Sequence, residues 1–334
     1  MNILIEKAEK VFLENFGRET CFERAVFFSW YCRVADCKFC YMSTQPKEVI
    51  EKKKFARRST ESILAEFILC KKFGWDIGFF SGGKDAFNFD EFKELLHLIN
   101  IVTKENIWIN IGALKEGKIQ SFKPYIKGVV GSVETINPKV HALVCPSKPI
   151  EPIEDMFKLA DKHGLKKAVT IILGLGESID DFSLLVDFIK KTKIDKIHFY
   201  GLNPHKGTMF ENSSPPSTEY QSEWIARTRI EFPGIDIQCG IWADRTDRVA
   251  NLLKAGSNSV SKFPVIRYFG KKEAALIEDG AKKAGRIFRG TLTKLLDLDL
   301  ENEVKNIAIG NDLKAKVRDK LDIYVRAMKK NSGK

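Results

Sequence analysis

The sequence predicts a parallel (β/α)8 barrel of the TIM type, complete or nearly so, followed by a C-terminal helical appendage. Eight short runs rich in β-branched and aromatic residues alternate with amphipathic segments. No internal repeat or linker divides the chain before about residue 264. Alternating strands and helices are typical of a parallel sheet, and eight such units can close into a barrel. An open, doubly wound sheet is the alternative architecture.

The chain divides into three predicted parts. Residues 1–22 form a helical lead-in, because they mix charged and apolar residues and lack the uninterrupted apolar core of a signal peptide. Residues 23–264 form the barrel. Its helices include one over residues 59–73, with Ile63, Phe67 and Cys70 on its apolar face, and one that ends at Gly164. Residues 265–334 are lysine-rich, and we expect them to form helices that close one end of the barrel. The predicted strands are 25–32, 75–83, 106–112, 127–134, 168–177, 196–202, 234–240 and 258–264.

Composition narrows the class of protein. The 334 residues are 44% hydrophobic, enough for a full core, and no apolar run approaches the ~18 residues of a membrane span. Three of the seven cysteines are clustered, which indicates metal-binding thiolates in a reducing compartment rather than disulfides. We therefore expect a cytoplasmic protein without a membrane partner. The net charge of +11 comes from lysines spread among acids, which favours a solvated basic surface over nucleic-acid binding.

Cys32, Cys37 and Cys40 follow the first predicted strand, at the end of a barrel where catalytic loops converge. A closed zinc site needs four protein ligands, and a [4Fe–4S] cluster held by four cysteines has no open iron. Three cysteines leave one iron free for a small molecule. A zinc knuckle completed by His205 or Cys145 is the alternative.

The cysteine loop resembles the signature of the radical S-adenosyl-L-methionine (SAM) superfamily. The usual form is C-x3-C-x2-C with an aromatic residue before the last cysteine. This sequence has C-x4-C-x2-C, with Phe39 in the aromatic position. The first spacing is thus one residue longer than the common form, which suggests an atypical subfamily.

Three further stretches resemble the superfamily in the expected order. Gly82 and Gly83 match the glycine pair that receives the SAM amino group, although Lys84 replaces its frequent acidic neighbour. Glu134 matches a carboxylate that contacts the amino acid end of SAM in some relatives. The fifth-strand pattern, whose isoleucine packs on adenine in relatives, is matched by Thr170, Ile172, Gly174 and Glu177.

The resemblance implies a specific chemistry. The three cysteines would hold a [4Fe–4S] cluster, SAM would bind the open iron, and reductive cleavage of SAM would give a 5′-deoxyadenosyl radical that takes a hydrogen atom from the substrate. An electron donor such as ferredoxin or flavodoxin is implied as a partner. Such a radical needs a dry, enclosed site. No side chain is assigned a catalytic role.

Within the superfamily the chain most resembles the biotin-synthase-like group, which includes hydrogenase-cofactor maturases and archaeal lipoyl synthases. This implies a small cofactor precursor as substrate, as in maturation of the guanylylpyridinol cofactor of hydrogenase. A sulfur-inserting enzyme is an alternative that needs a second cluster, for which only Cys145 and Cys239 end near the predicted mouth. A non-catalytic iron–sulfur or RNA-binding scaffold is another. His198 is expected in the core, and His205 is a candidate substrate contact.

Overall fold

A closed barrel of eight parallel strands forms the centre of the molecule, which confirms the predicted fold. The computed structural model describes residues 2–45, 51 and 56–333. Neighbouring strands follow chain order, and the first strand pairs with both the second and the eighth, which closes the barrel. The strands are β1 Glu19–Phe27, β2 Asp76–Ser81, β3 Ile107–Asn110, β4 Ile126–Glu134, β5 Lys166–Leu173, β6 Lys196–Gly201, β7 Asp236–Gly240 and β8 Ser259–Ser261.

Helices surround the barrel and cover its outer face. Those that the structure describes are α1 Asn2–Phe16, α2 Thr60–Phe73, α3 Phe89–Thr103, α4 Glu116–Phe122, α5 Pro138–Val144, α6 Glu151–Lys162, α7 Phe182–Thr192, α8 Thr218–Glu231, α9 Val249–Lys254, α10 Val265–Tyr268, α11 Lys272–Lys283, α12 Leu300–Lys305 and α13 Asn311–Asn331. None of them is long and apolar enough to cross a lipid bilayer.

The strands are buried on both faces, which explains why several of them read as continuous apolar runs. One face packs against the helices in the main core. The other face fills the barrel lumen with a separate layer of side chains: Ala25, Phe79, Trp108, Val130, Ala168 and Tyr200. Local signals set the helix ends, because the Asn88 side chain begins α3 with a capping box and Gly74 ends α2 in the left-handed conformation.

The first strand was predicted too late in the chain. It begins at Glu19 and ends at Phe27, whereas the apolar run predicted residues 25–32. Cys21 therefore lies inside β1 rather than before it. The charged residues Glu23 and Arg24 interrupt the apolar pattern of the strand. Their ion-pair partners lie in other elements, so the local sequence does not reveal that these charges can be buried.

The C-terminal segment packs on the flank of the barrel and near the amino end of β2, where the Thr291 amide donates to the carbonyl of Phe73 (3.0 Å). The expectation that it closes one end of the barrel stays a prediction. The phenol oxygen of Tyr324, on α13, lies 2.6 Å from the hydroxyl of Ser62 on α2. No described residue after Lys262 lines the central cavity. The segment also contains a short strand that was not predicted, β9 Ile287–Arg289, which extends the sheet beside β1.

Candidate active site

A cavity of about 310 Å³ lies at the carboxyl ends of the barrel strands. The loops after parallel strands meet at this end, which is where barrel enzymes carry their active sites. The predicted residues that line it come from four elements or the loops after them: Cys32, Cys37, Phe39 and Cys40 after β1, Gly82 and Gly83 after β2, Glu134 in β4, and Thr170 and Ile172 in β5.

Backbone hydrogen bonds from three other loops hold the cysteine loop in place. The Arg33 amide donates to the carbonyl of Lys84 (3.0 Å), and the Lys38 amide donates to the carbonyl of Val144 (2.9 Å). The Met209 amide donates in turn to the carbonyl of Lys38 (3.0 Å). Phe39 is buried against apolar residues of the loops after β4, β5 and β6. The loop is therefore anchored at two points, one between Cys32 and Cys37 and one between Cys37 and Cys40.

The three thiols face one cavity but do not form a site for a single metal ion. In the part of the chain that the structure describes, no three histidine, cysteine or acidic side chains lie close enough to share one ion. In a cubane cluster each cysteine binds a different iron, so separated thiols around a common space fit the cluster better than they fit zinc. His205 packs against the ring of Tyr41 at 5.7 Å and does not line the cavity.

Cys145 lies behind the loop and contacts one of its cysteines. A hydrogen bond between the two thiols lowers the pKa of Cys37 and raises that of Cys145. Burial raises the pKa of Cys40 to about 11. Cys145 itself is buried and is not part of the cavity wall.

The glycine pair after β2 is required by the path of the cysteine loop. A Cβ atom on Gly83 would lie 1.8 Å from the carbonyl oxygen of Tyr31, and one on Gly82 would lie 2.2 Å from the ring of Phe28. Any side chain here would push the loop away from β2. Lys84, which follows the pair, is exposed and lines the cavity.

Glu134 ends β4 with its side chain buried at the cavity and its backbone at φ +68°. Its Oε1 atom accepts a hydrogen bond from Nζ of Lys148 at 2.6 Å. Burial by itself would lower the pKa of Lys148, but the attraction of Glu134 outweighs it and raises that pKa above the usual range. The carboxylate thus has a cationic partner that the sequence did not reveal.

The fifth-strand pattern divides into two parts. Thr170 and Ile172 face the cavity, whereas Gly174 and Glu177 do not line it. The carboxylate of Glu177 accepts hydrogen bonds from the amides of Gly174 (2.6 Å) and Leu175 (2.9 Å), so it closes the turn after β5. Gly174 has φ +97°, which favours glycine.

A buried hydrogen-bond network forms the floor of the lumen, and sequence reasoning missed it. The Tyr200 hydroxyl, which lines the cavity, donates to Gln238 (2.8 Å), and Gln238 donates to Glu23 (2.6 Å). The ammonium of Lys196 also donates to Glu23 at 2.6 Å. The sequence did contain one signal for this network. Lys196 is a charged residue at the start of a predicted buried strand, and a buried charge needs a partner inside the barrel.

The remaining cysteines do not gather into a second site. Cys239 is fully buried and its thiol contacts Ser257 and the carbonyl of Ser259, away from Cys145. Cys21 contacts Asp76, and Cys70 is buried in the main core as predicted.

His198 is buried in the lumen, as expected for a core residue, and its Nδ1 atom lies 3.2 Å from the hydroxyl of Thr170. Burial lowers its pKa well below the usual value.

Comparison with known proteins identifies the family of this chain. Residues 29–189 match the family model of the radical SAM superfamily, and this range contains the cysteine loop, the glycine pair, Glu134 and Ile172. The chain belongs to the radical SAM superfamily. It is 37% identical to an uncharacterized protein of Methanocaldococcus jannaschii, over 96% of this chain and 94% of that protein.

Two further similarities are to a curated relative and to the fold of a solved structure. Biotin synthase of Thermotoga neapolitana is 25% identical over 76% of this chain and 86% of its own length. The FeFe-hydrogenase maturase HydG of Carboxydothermus hydrogenoformans has the same fold, with a TM-score of 0.68, 18% identity and coverage of 99% of this chain and 86% of that one. The chain is a radical SAM enzyme of this general type. Membership in the superfamily implies a [4Fe–4S] cluster and SAM.

Proposed function

We propose that this radical SAM enzyme binds one [4Fe–4S] cluster through Cys32, Cys37 and Cys40, binds SAM beside it, and removes a hydrogen atom from a small cofactor precursor. The bound cluster supplies the electron that cleaves SAM reductively. The product would belong to cofactor biosynthesis, with maturation of the hydrogenase guanylylpyridinol cofactor as one example of the reaction type.

One observation carries this proposal: a single cavity joins the three thiols to the residues expected to bind SAM. Gly82 and Gly83 line the cavity beside the cysteine loop, and Glu134 offers a carboxylate to an ammonium group. Ile172 gives an apolar surface in the cavity wall that suits an adenine ring. Gly174 lies in the turn beyond Ile172. Its predicted part in SAM binding is therefore limited to a contact through its backbone.

The lumen below the cavity supports an enclosed site for radical chemistry. Its walls are mostly aromatic and aliphatic, and the described polar groups of the floor are largely bonded to one another. Such a lining limits the polar groups that could hold water beside a bound substrate. Ferredoxin or flavodoxin is the proposed electron donor, because acidic partners of this kind suit a chain with a net charge of +11.

The alternatives receive less support. Sulfur insertion needs a second cluster, yet neither Cys145 nor Cys239 lines the cavity, and their thiols contact different residues. An RNA-binding scaffold would not need a cavity in which thiols meet a buried carboxylate. Cytoplasmic location stays a prediction from the cysteine pattern.

Anaerobic reconstitution followed by reduction in the presence of SAM tests the proposal. The wild-type protein should hold about four irons and form 5′-deoxyadenosine. Cys32→Ala, Cys37→Ala and Cys40→Ala should each abolish SAM cleavage, whereas Cys21→Ser, a control on the far side of the barrel, should retain it. Bound zinc together with SAM cleavage in the absence of iron would overturn the proposal.

A further inference from the structure

Lys262 is a cavity residue to which the proposed chemistry gives no role. It follows the last residue of β8, at the carboxyl end of that strand, and its side chain lines the cavity. Its backbone has φ +68°, a conformation that non-glycine residues rarely adopt outside functional or strained sites. Neighbours on both sides fix this conformation, because Ser261 and Phe263 are fully buried.

Lys262 lacks the partner that other interior lysines have. Lys148 pairs with Glu134, Lys167 with Asp161, and Lys196 with both Glu23 and Asp236. Among the residues that the structure describes, neither a carboxylate nor any other acceptor bonds to the ammonium of Lys262. A cation taken out of bulk water without an acceptor is unfavourable, so the position calls for an anion from elsewhere.

Two aromatic rings hold the ammonium in the lumen. Nζ of Lys262 lies 4.7 Å from the ring centroid of Tyr200 and 5.3 Å from that of Phe79. These cation–π contacts orient the group without satisfying its hydrogen-bond donors. Both rings belong to the apolar layer of the lumen, so the space beside the ammonium suits carbon rather than water.

We infer that Lys262 binds a carboxylate of the substrate, and that the substrate is a small carboxylic acid with an apolar or aromatic group next to its charge. A phosphate carries more charge and usually meets several donors, whereas Lys262 offers one ammonium and its two ring neighbours add no second cation. This inference deepens the proposed function, since it assigns the substrate class of the same cavity.

Matched pairs of acids and amides test the inference without knowledge of the substrate. Benzoate and benzamide have nearly the same shape and differ in charge; hexanoate and hexanamide form an aliphatic pair. Equilibrium dialysis with the SAM-bound, reconstituted protein should show that at least one acid binds. Its amide should bind roughly tenfold more weakly, as expected for the loss of one charge-assisted hydrogen bond.

The decisive variant is Lys262→Met, which keeps the length of the side chain and removes its charge. Acid binding should fall roughly tenfold or more, to the level of the amide. Lys193→Met is the matched control, because Lys193 is also a lysine at positive φ but is exposed and outside the cavity. Iron content and melting temperature of both variants establish that they are folded and loaded.

Three results would overturn the inference. The first is the absence of acid binding to the wild-type protein, and the second is equal acid binding to the wild type and Lys262→Met. The third is an equal loss of acid and SAM affinity in Lys262→Met, which would assign the lysine to the carboxylate of SAM. Failure of the proposed function is a separate observation, since it would appear in the wild type as missing iron or missing 5′-deoxyadenosine.

Discussion

Nζ of Lys148 lies 2.6 Å from Oε1 of Glu134, and both side chains line the cavity beside the cysteine loop. The lysine is three residues beyond Cys145, whose carbonyl accepts a hydrogen bond from the Lys148 amide. The pair therefore links the end of β4 to the segment that supports the cysteines. It also gives the Glu134 carboxylate a cationic partner in the cavity wall. A ligand ammonium would join an existing ion pair through the second carboxylate oxygen.

Replacing Glu134 with glutamine should weaken SAM binding. Glutamine keeps the size of the side chain and one acceptor oxygen but removes the charge. Losing a charge-assisted hydrogen bond costs about 1.5–3 kcal/mol, which is roughly ten- to over a hundredfold in affinity. Isothermal titration of the iron-loaded Glu134→Gln protein with SAM measures the loss, and iron content should stay near that of the wild type.

Lys148→Met separates this role from a structural one. If the Glu134 carboxylate binds the SAM ammonium, removing Lys148 leaves that carboxylate available. Lys148→Met should then reduce SAM affinity much less than Glu134→Gln does. Comparable losses in both variants, together with a comparable drop in melting temperature, would mean that the pair only supports the loop. An unchanged dissociation constant in Glu134→Gln would remove this residue from the SAM site.

A variant without the three loop cysteines should bind essentially no iron. Cys145 contacts Cys37, whereas the thiol of Cys239 contacts Ser257 and Ser259, so these two thiols have different neighbours. Mössbauer spectroscopy after reconstitution of the Cys32/Cys37/Cys40 triple alanine variant measures what remains. A residual cluster signal that disappears when Cys145 and Cys239 are also replaced would favour a sulfur-inserting enzyme instead.

The sequence predicted the barrel because each strand and helix has a local signature, and it predicted the cysteine loop because the three cysteines are close in the chain. It did not predict Lys148 or Lys262 as site residues. Each of them becomes significant only through partners from distant elements: Glu134 for Lys148, and Phe79 and Tyr200 for Lys262. The start of β1 was missed for the same reason, since Glu23 is bonded to Lys196, which is 173 residues away. Pairing across a barrel leaves no local pattern.

Gly83→Ala should displace the cysteine loop, although it adds only one methyl group. The new Cβ would overlap the carbonyl oxygen of Tyr31, and the loop would have to move at a cost of about 1–3 kcal/mol. We expect a lower melting temperature and incomplete iron incorporation. Gly117→Ala is the control, because a Cβ there meets no atom within 4 Å and α4 gains a better helix former. Equal iron content in the two variants would show that the close approach is not needed for assembly.

Lys262→Met should make the protein more stable near neutral pH, and the gain should shrink as the pH rises. Burial lowers the pKa of Lys262 from 10.5 to about 8, and the repulsion of Arg24 adds to this, while Glu134 and Cys40 oppose it. Between those two values the unfolded chain binds more protons than the folded one, so the free energy of unfolding of the wild type rises with pH in this window. The resulting difference in unfolding free energy between Lys262→Met and the wild type is at most about 3 kcal/mol, and any hydration of the ammonium makes it smaller.

Urea denaturation of the two proteins, from about pH 7 to about pH 10, measures this linkage. The difference in unfolding free energy should be largest below pH 8, where the folded wild type carries a charged and unpaired Lys262, and should approach zero toward pH 10.5. Lys193→Met, at an exposed position, should show no such trend. A stability difference that does not change with pH would mean that folding does not shift the pKa of Lys262, so that its ammonium is already hydrated or paired in the free protein. Either outcome would remove the reason to expect a substrate carboxylate beside it.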